Sequence, residues 1–111
     1  MERVIVINSD VFGKGDRELG EKLMGAFLKK IWIRKEKPEA IIFYNSGVKL
    51  TAKGSTVLDA LNGLSDLGVD LLACGTCIDY YGLKDEMMIG RVSNMEEISS
   101  MMMDAKSVIT V

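Results

Sequence analysis

The sequence predicts an α/β fold, a three-layer α/β/α sandwich built on a mainly parallel sheet of about five strands. Three observations carry that prediction. Short apolar runs such as Val4-Ile5-Val6-Ile7 and Ala40-Ile41-Ile42-Phe43-Tyr44 lack the polar alternation of a sheet with one wet face. The segments between them carry apolar residues at helical spacing. Strand and helix alternate along the whole chain, so helical crossovers join strands that run parallel.

The first strand is Val4-Ile5-Val6-Ile7, followed by turn residues from Asn8 to Asp16. Asp16 is placed to cap a helix with Glu18 in its first turn. Leu19, Leu23, Phe27 and Ile31, widened by Met24 and Leu28, make its apolar stripe to about Ile33. Pro38, the only proline, cannot continue that helix, and the second strand follows at 40–44. The next segment, Asn45 to Thr51, must turn the chain, with Gly47 free to take a positive φ. Gly54-Ser55 opens a second helix with the stripe Val57, Leu58, Leu61, Leu64 and Leu67, closed by Gly68. The third strand spans 69–74 and a short helix 76–81. Met87-Met88-Ile89 reads as a fourth strand, Ser93-Asn94-Met95-Glu96 as a capping box opening a last helix, and 108–111 as the last strand. Residues 1–111 read as one domain, without repeats or linkers.

Composition excludes several function classes. With 111 residues and 48% hydrophobic content the chain can build a core, and its 14 basic and 16 acidic residues are interspersed, leaving no basic face for nucleic acid. No apolar run is long enough for a signal peptide or a membrane span, which points to the cytoplasm. The sequence has no histidine, so Ser-His or Cys-His catalysis within one chain is excluded, as are zinc sites that need imidazole.

The two cysteines carry the chemistry. They stand as Cys74-Gly75-Thr76-Cys77 at the end of an apolar run, where a strand meets a helix. Unpaired N–H groups at such a corner favour a thiolate, and the thiolate is the nucleophile. In a reducing compartment a C-x-x-C pair suggests redox, sulfur-carrying or metal-binding chemistry more than a structural disulfide. One pair supplies half of a tetrahedral thiolate site, so a metal is expected only if chains share it, and no cofactor is expected. Thioredoxin-like chemistry is disfavoured, because the pair follows the third strand and no downstream proline exists. Gly13-Lys14-Gly15 fits neither phosphate-loop pattern. The bland alternative is two inert thiols packed as small hydrophobes.

In parallel sheets ligands bind beyond the carboxyl ends of the strands. Three loops are therefore expected to meet: Asn8-Ser9-Asp10, Asn45-Ser46-Gly47 and Cys74-Gly75-Thr76-Cys77. Cys74 and Cys77 are the candidate catalytic residues. Asn8, Ser9, Asp10, Asn45, Ser46, Gly47, Gly75 and Thr76 are the candidate substrate-binding residues.

Several motifs also carry a family resemblance. Ser9-Asp10 with Gly13-x-Gly15, Phe43 to Thr51, Gly54-Ser55, Cys74 to Leu83 and Ser93-Asn94-Met95 resemble the carboxyl-terminal domain of YedF-type selenium-metabolism proteins. These are similar to the DsrE/DsrF-like superfamily of sulfur-relay proteins. The resemblance implies a cytoplasmic α/β domain of Rossmann- or flavodoxin-like topology that forms oligomers and carries sulfur as a persulfide on a cysteine after the third strand. That cysteine matches Cys74, with Gly82 the matching glycine. Met1 lies almost on the first strand, so the amino-terminal TusA-like domain with its Cys-Pro motif is missing from this sequence. A separate sulfur or selenium donor or acceptor, such as a TusA-like protein, is the expected partner.

The expectation is thus a sulfurtransferase-like sulfur or selenium relay protein in which Cys74 accepts the sulfur and Cys77 either resolves the persulfide or forms a disulfide with it. The alternatives are a non-catalytic binding or assembly module, or a dithiol redox protein. A homo-oligomer is expected, because Trp32, Ile33, Val11, Phe12 and the Met101-Met102-Met103 run exceed what one small core hides. The Val11-Phe12 loop would then close over Cys74 of a neighbour.

Overall fold

A computed structural model describes residues 2–111. Strands β1 (Arg3–Ile7), β2 (Ala40–Phe43), β3 (Asp70–Cys74), β4 (Arg91–Ser93) and β5 (Ser107–Thr110) form one sheet in the order β4-β3-β2-β1-β5. Every neighbouring pair is parallel. The helices are α1 (Arg17–Ile33), α2 (Leu58–Asp66), α3 (Gly75–Tyr80) and α4 (Met95–Asp104).

The steps from β1 to β4 all move the same way across the sheet, so right-handed crossovers put their helices on one face. The step from β4 back to β5 reverses, which puts α4 on the other. Side chains sort accordingly: Ile5, Ile7, Ile41, Phe43 and Leu71 pack with α1 and α2, while Val4, Val6, Ile42, Leu72 and Cys74 pack under Ile98 of α4. Both faces of β1, β2 and β3 are covered, which is why these strands read as unbroken apolar runs, while the edge strands β4 and β5 stay largely exposed.

Several local expectations are corrected. Asp16 does cap α1, accepting the N–H of Leu19 at 2.8 Å, but the buried stripe is Gly20, Met24 and Leu28. Leu19 and Leu23 are 54% and 43% exposed. The cause is the preceding loop, which lies on the helix at Gly20: a Cβ there would stand 2.8 Å from Val11 Cβ, and Phe12 N–H donates to Gly20 O at 3.0 Å. Phe12 and Phe27 stack at 5.3 Å. Val11 and Phe12 thus pack on their own helix. Trp32 is half-buried, its ring where a Cβ on Gly63 would stand, whereas Ile33 is exposed.

After β2 the chain enters a 3-10 helix, Asn45–Thr51, and the left-handed residue is Asn45 (φ 51), not Gly47. Asparagine tolerates that conformation better than most side chains. Gly47 is needed for a different reason: a Cβ would lie 2.2 Å from the Ile7 carbonyl oxygen. Helix α2 begins at Leu58, after Gly54 (φ 91) turns the chain and Ser55 Oγ accepts the N–H of Val57.

The fourth strand is 91–93, not 87–89. Met88 and Ile89 donate instead to the Thr51 carbonyl, and Gly90 (φ 84) turns the chain into the sheet edge. The cap of α4 is Asn94, which accepts the N–H of Glu97 at 2.9 Å, one residue beyond Ser93. The methionine run wraps around α4, leaving Met101 and Met102 half-buried and Met103 84% exposed.

Candidate functional site

Strand β3 passes into α3 without a loop, so Cys74 is both the last strand residue and the N-cap of the helix. Its register partner is Ser93, the last residue of β4. Here the crossovers diverge, since α3 leaves to one face and α4 to the other, and such a divergence opens a crevice beyond the strand ends. Gly75 fits it tightly, because a Cβ there would stand 3.0 Å from the Ser93 carbonyl oxygen.

The two thiols are unlike. Both cysteines are free, but Cys74 is 3% exposed beneath α4, while Cys77, one turn into α3, is half-buried. Cys77 lines an open cavity of about 390 Å³ with Asn45, Thr76, Tyr80 and Tyr81. Its Sγ accepts the backbone N–H of Asn45 at 3.1 Å. Burial pushes the Cys77 thiol up, and the neighbouring Cys74 adds to that, against the opposing pull of the Asn45 N–H.

The three expected loops do come together, although unequally. Asn45 holds the centre: its Oδ1 accepts the Ser46 N–H at 2.8 Å and the Tyr81 hydroxyl at 3.1 Å. Ser46 Oγ accepts the Asp10 N–H at 3.3 Å, and Gly47 lies against the end of β1. Ser9 Oγ caps its own turn, taking the Val11 N–H. Asp10 pairs with Arg17, and Asn8 stays half-buried where β1 ends. Thr76 is exposed at the cavity mouth.

Reasoning from the sequence left out the two tyrosines. Tyr80 is 84% exposed, packed edge-on against Tyr81 at 5.3 Å. An aromatic pair just after a C-x-x-C was the available signal. Such side chains present an apolar body with a polar tip, which suits them to contact a visiting molecule. Among the described residues no group of three metal-ligating side chains comes together, and no helix is long and apolar enough to cross a membrane.

A parallel, doubly wound sheet with two free thiols at its strand-end crevice defines a class of α/β domain whose chemistry sits on strand-end loops. The chain belongs to the DsrE/DsrF-like family, whose profile matches residues 2–111. Among solved structures it is similar to the ychN protein from E. coli, at 18% identity and a TM-score of 0.69, covering 99% of this chain and 98% of that one. It is also similar to MTH1491 from Methanobacterium thermoautotrophicum, a protein of unknown function, at 18% identity and a TM-score of 0.71 over 100% of both chains. Against BT1422 from Bacteroides thetaiotaomicron the values are 14% and 0.67, over 99% of this chain and 95% of that one. At these identities the likeness is one of fold. No protein with a curated description matches the sequence.

Proposed function

We propose that this protein is a sulfur-relay carrier that holds sulfane sulfur as a persulfide on the Cys74/Cys77 pair. The observation that carries the reading is the asymmetry of the two thiols: Cys77 lines an open cavity, and Cys74 stands behind it, 3% exposed. That arrangement favours Cys77 as the receiving thiol and Cys74 as the resolving one, the reverse of the order expected from the sequence. The Cys77 thiol gives its proton to water, and the thiolate attacks the terminal sulfur of a donor persulfide. The donor S–S bond breaks, the donor leaves as a thiolate, and Cys77 becomes a persulfide. An acceptor thiolate then takes the outer sulfur. Alternatively, the Cys74 thiolate attacks Cys77 Sγ, expelling hydrosulfide and closing a disulfide.

Mass spectrometry after incubation with a cysteine desulfurase and cysteine tests this. The expected result is one added sulfur on Cys77, lost in Cys77→Ser and retained in Cys74→Ser. The opposite pattern moves the carrier to Cys74. Equal uptake by both single variants and by the double variant ends the persulfide reading.

A second reading, a non-catalytic assembly module, is favoured by the burial of Cys74. It requires that neither thiol react with an alkylating reagent until the protein is denatured. The relay reading includes a cytoplasmic setting, which keeps both thiols reduced, and a separate partner such as a TusA-like protein with sulfur or selenium as cargo. It also includes a homo-oligomer, supported by exposed Leu19, Leu23, Val92, Met95 and Met103.

A further inference from the structure

Beside the thiol cavity, and sharing Tyr81 with it, lies a second surface cavity of about 400 Å³. Asp10, Glu21, Lys49, Lys53, Ser55 and Thr56 stand in its wall. The two carboxylates and two ammonium groups of its wall balance formally, and the guanidinium of Arg17 beside them leaves an excess of one positive charge. One guanidinium serves both carboxylates, since Arg17 pairs with Asp10 and lies 3.7 Å from Glu21. Neither Lys49 nor Lys53 has a carboxylate partner among the described residues. Lys49 Nζ instead sits 4.5 Å from the centroid of the Tyr81 ring. The Tyr81 hydroxyl donates to Asn45, whose N–H donates to Cys77 Sγ, so two unpaired ammonium groups and the reactive thiol are joined by one continuous wall.

We infer that this cavity is a subsite for the anionic end of a small sulfur donor whose transferable sulfur reaches Cys77 past Tyr81. The inference rests on the relay reading of Cys77 and adds a substrate class to it: low-molecular-weight compounds with a carboxylate or sulfonate close to a sulfane sulfur. Lys49 and Lys53 bind the anion, and the Ser55 and Thr56 hydroxyls are placed to donate to it. With thiosulfate, the Cys77 thiolate bonds to the outer sulfur, the S–S bond breaks, and sulfite leaves with the electron pair. With cysteine persulfide, cysteine leaves as its thiolate. In both cases the proton of the Cys77 thiol goes to water and no redox partner is needed.

Two measurements in a Cys74→Ser background, where one thiol is read, test the subsite separately from the relay. The first compares the rates at which Cys77 is modified by sulfonatoethyl, trimethylammonioethyl and uncharged methyl methanethiosulfonates. The anionic reagent is expected to outrun the cationic one, and Lys49→Gln/Lys53→Gln to lower that ratio about three- to tenfold, an effect that shrinks with added salt. The rate of the uncharged reagent should not change. An unchanged ratio overturns the subsite, as does equal slowing of all three reagents, because the lysines would then act on the thiol and not on the charge of the reagent. The second measurement follows sulfur loading of Cys77 from thiosulfate and from cysteine persulfide. The double variant should need about three- to tenfold more donor for half-loading. The donor that loads the Cys74→Ser protein at the lower concentration identifies the anion as sulfonate or carboxylate. If neither loads the Cys74→Ser protein while a desulfurase does, the small-donor assignment falls and the relay stands; if the desulfurase fails too, both fall.

Discussion

At the scale of single residues, Cys77 is balanced between opposing effects. Burial raises its pKa and the Asn45 N–H lowers it, with burial the larger. The native thiol should therefore titrate above its unfolded value, and any stability tied to the neutral thiol is present below the unfolded pKa and lost as pH rises through the folded one. Alkylation of the Cys74→Ser protein across alkaline pH is expected to reach half its maximal rate at higher pH in buffer than in urea. A native midpoint below the urea midpoint would mean that the N–H contact dominates. The residues of this site were legible in the sequence as a C-x-x-C at a strand end, but their unequal exposure was not. Burial of Cys74 depends on α4 crossing the opposite face of the sheet, and nothing near residue 74 announces a helix at 95–104.

At the scale of elements, β4 is three residues long and lies at an edge, so pairing alone holds it weakly. Arg91 compensates with a two-sided fork. Its Nε and Nη2 donate to Asp70 at 3.0 and 2.9 Å, and its Nη1 and Nη2 donate to Glu97 at 2.8 and 2.7 Å. One guanidinium thus ties β4 to both β3 and α4, with Ser93 Oγ adding a bond to the same Glu97. Arg91 is the first cause, and Ser93 the second, of a Glu97 carboxyl held down to about 2. Because the folded pKa is depressed, the contribution of Glu97 is fully present above its ordinary value of 4.5 and is lost as pH falls through about 2. Urea midpoints of wild type and Glu97→Gln should differ at pH 6 and converge as pH approaches 2. A constant gap would refute the coupling. This fork also explains why the sequence misplaced the strand. Arg91-Val92-Ser93 looks less strand-like than Met87-Met88-Ile89, and its place in the sheet comes from partners at 70 and 97 that are distant in sequence.

At the scale of the whole molecule, the α/β class, the helical crossovers and the parallel sheet were all legible, because strands buried on both faces leave unbroken apolar runs. The rotation of α1 was not, since the contact that sets it lies between Gly20 and the loop holding Val11. That rotation leaves Leu19 and Leu23 on the outside of α1, and Met95 and Met103 are likewise exposed on α4. Exposed apolar groups on both outer layers suit contacts between copies, and light scattering at micromolar concentration measures whether they form. The proposed assembly requires a mass that is a multiple of 12.2 kDa; a value that stays at 12.2 kDa as concentration rises removes it.

The sheet order has a consequence for how the chain is made. Strand β1 is the first of the five strands to be made, yet one of its two neighbours is β5, through pairs such as Val4 with Val108. At about 5–20 residues per second, a growing chain spends on the order of 5 to 20 seconds with that edge open. During the same interval Val4 and Val6 await the helix that roofs them. The nascent protein thus presents the apolar run Val4–Ile7 early and completes its cover last, which makes the β1 edge the natural point of attention for a ribosome-bound chaperone.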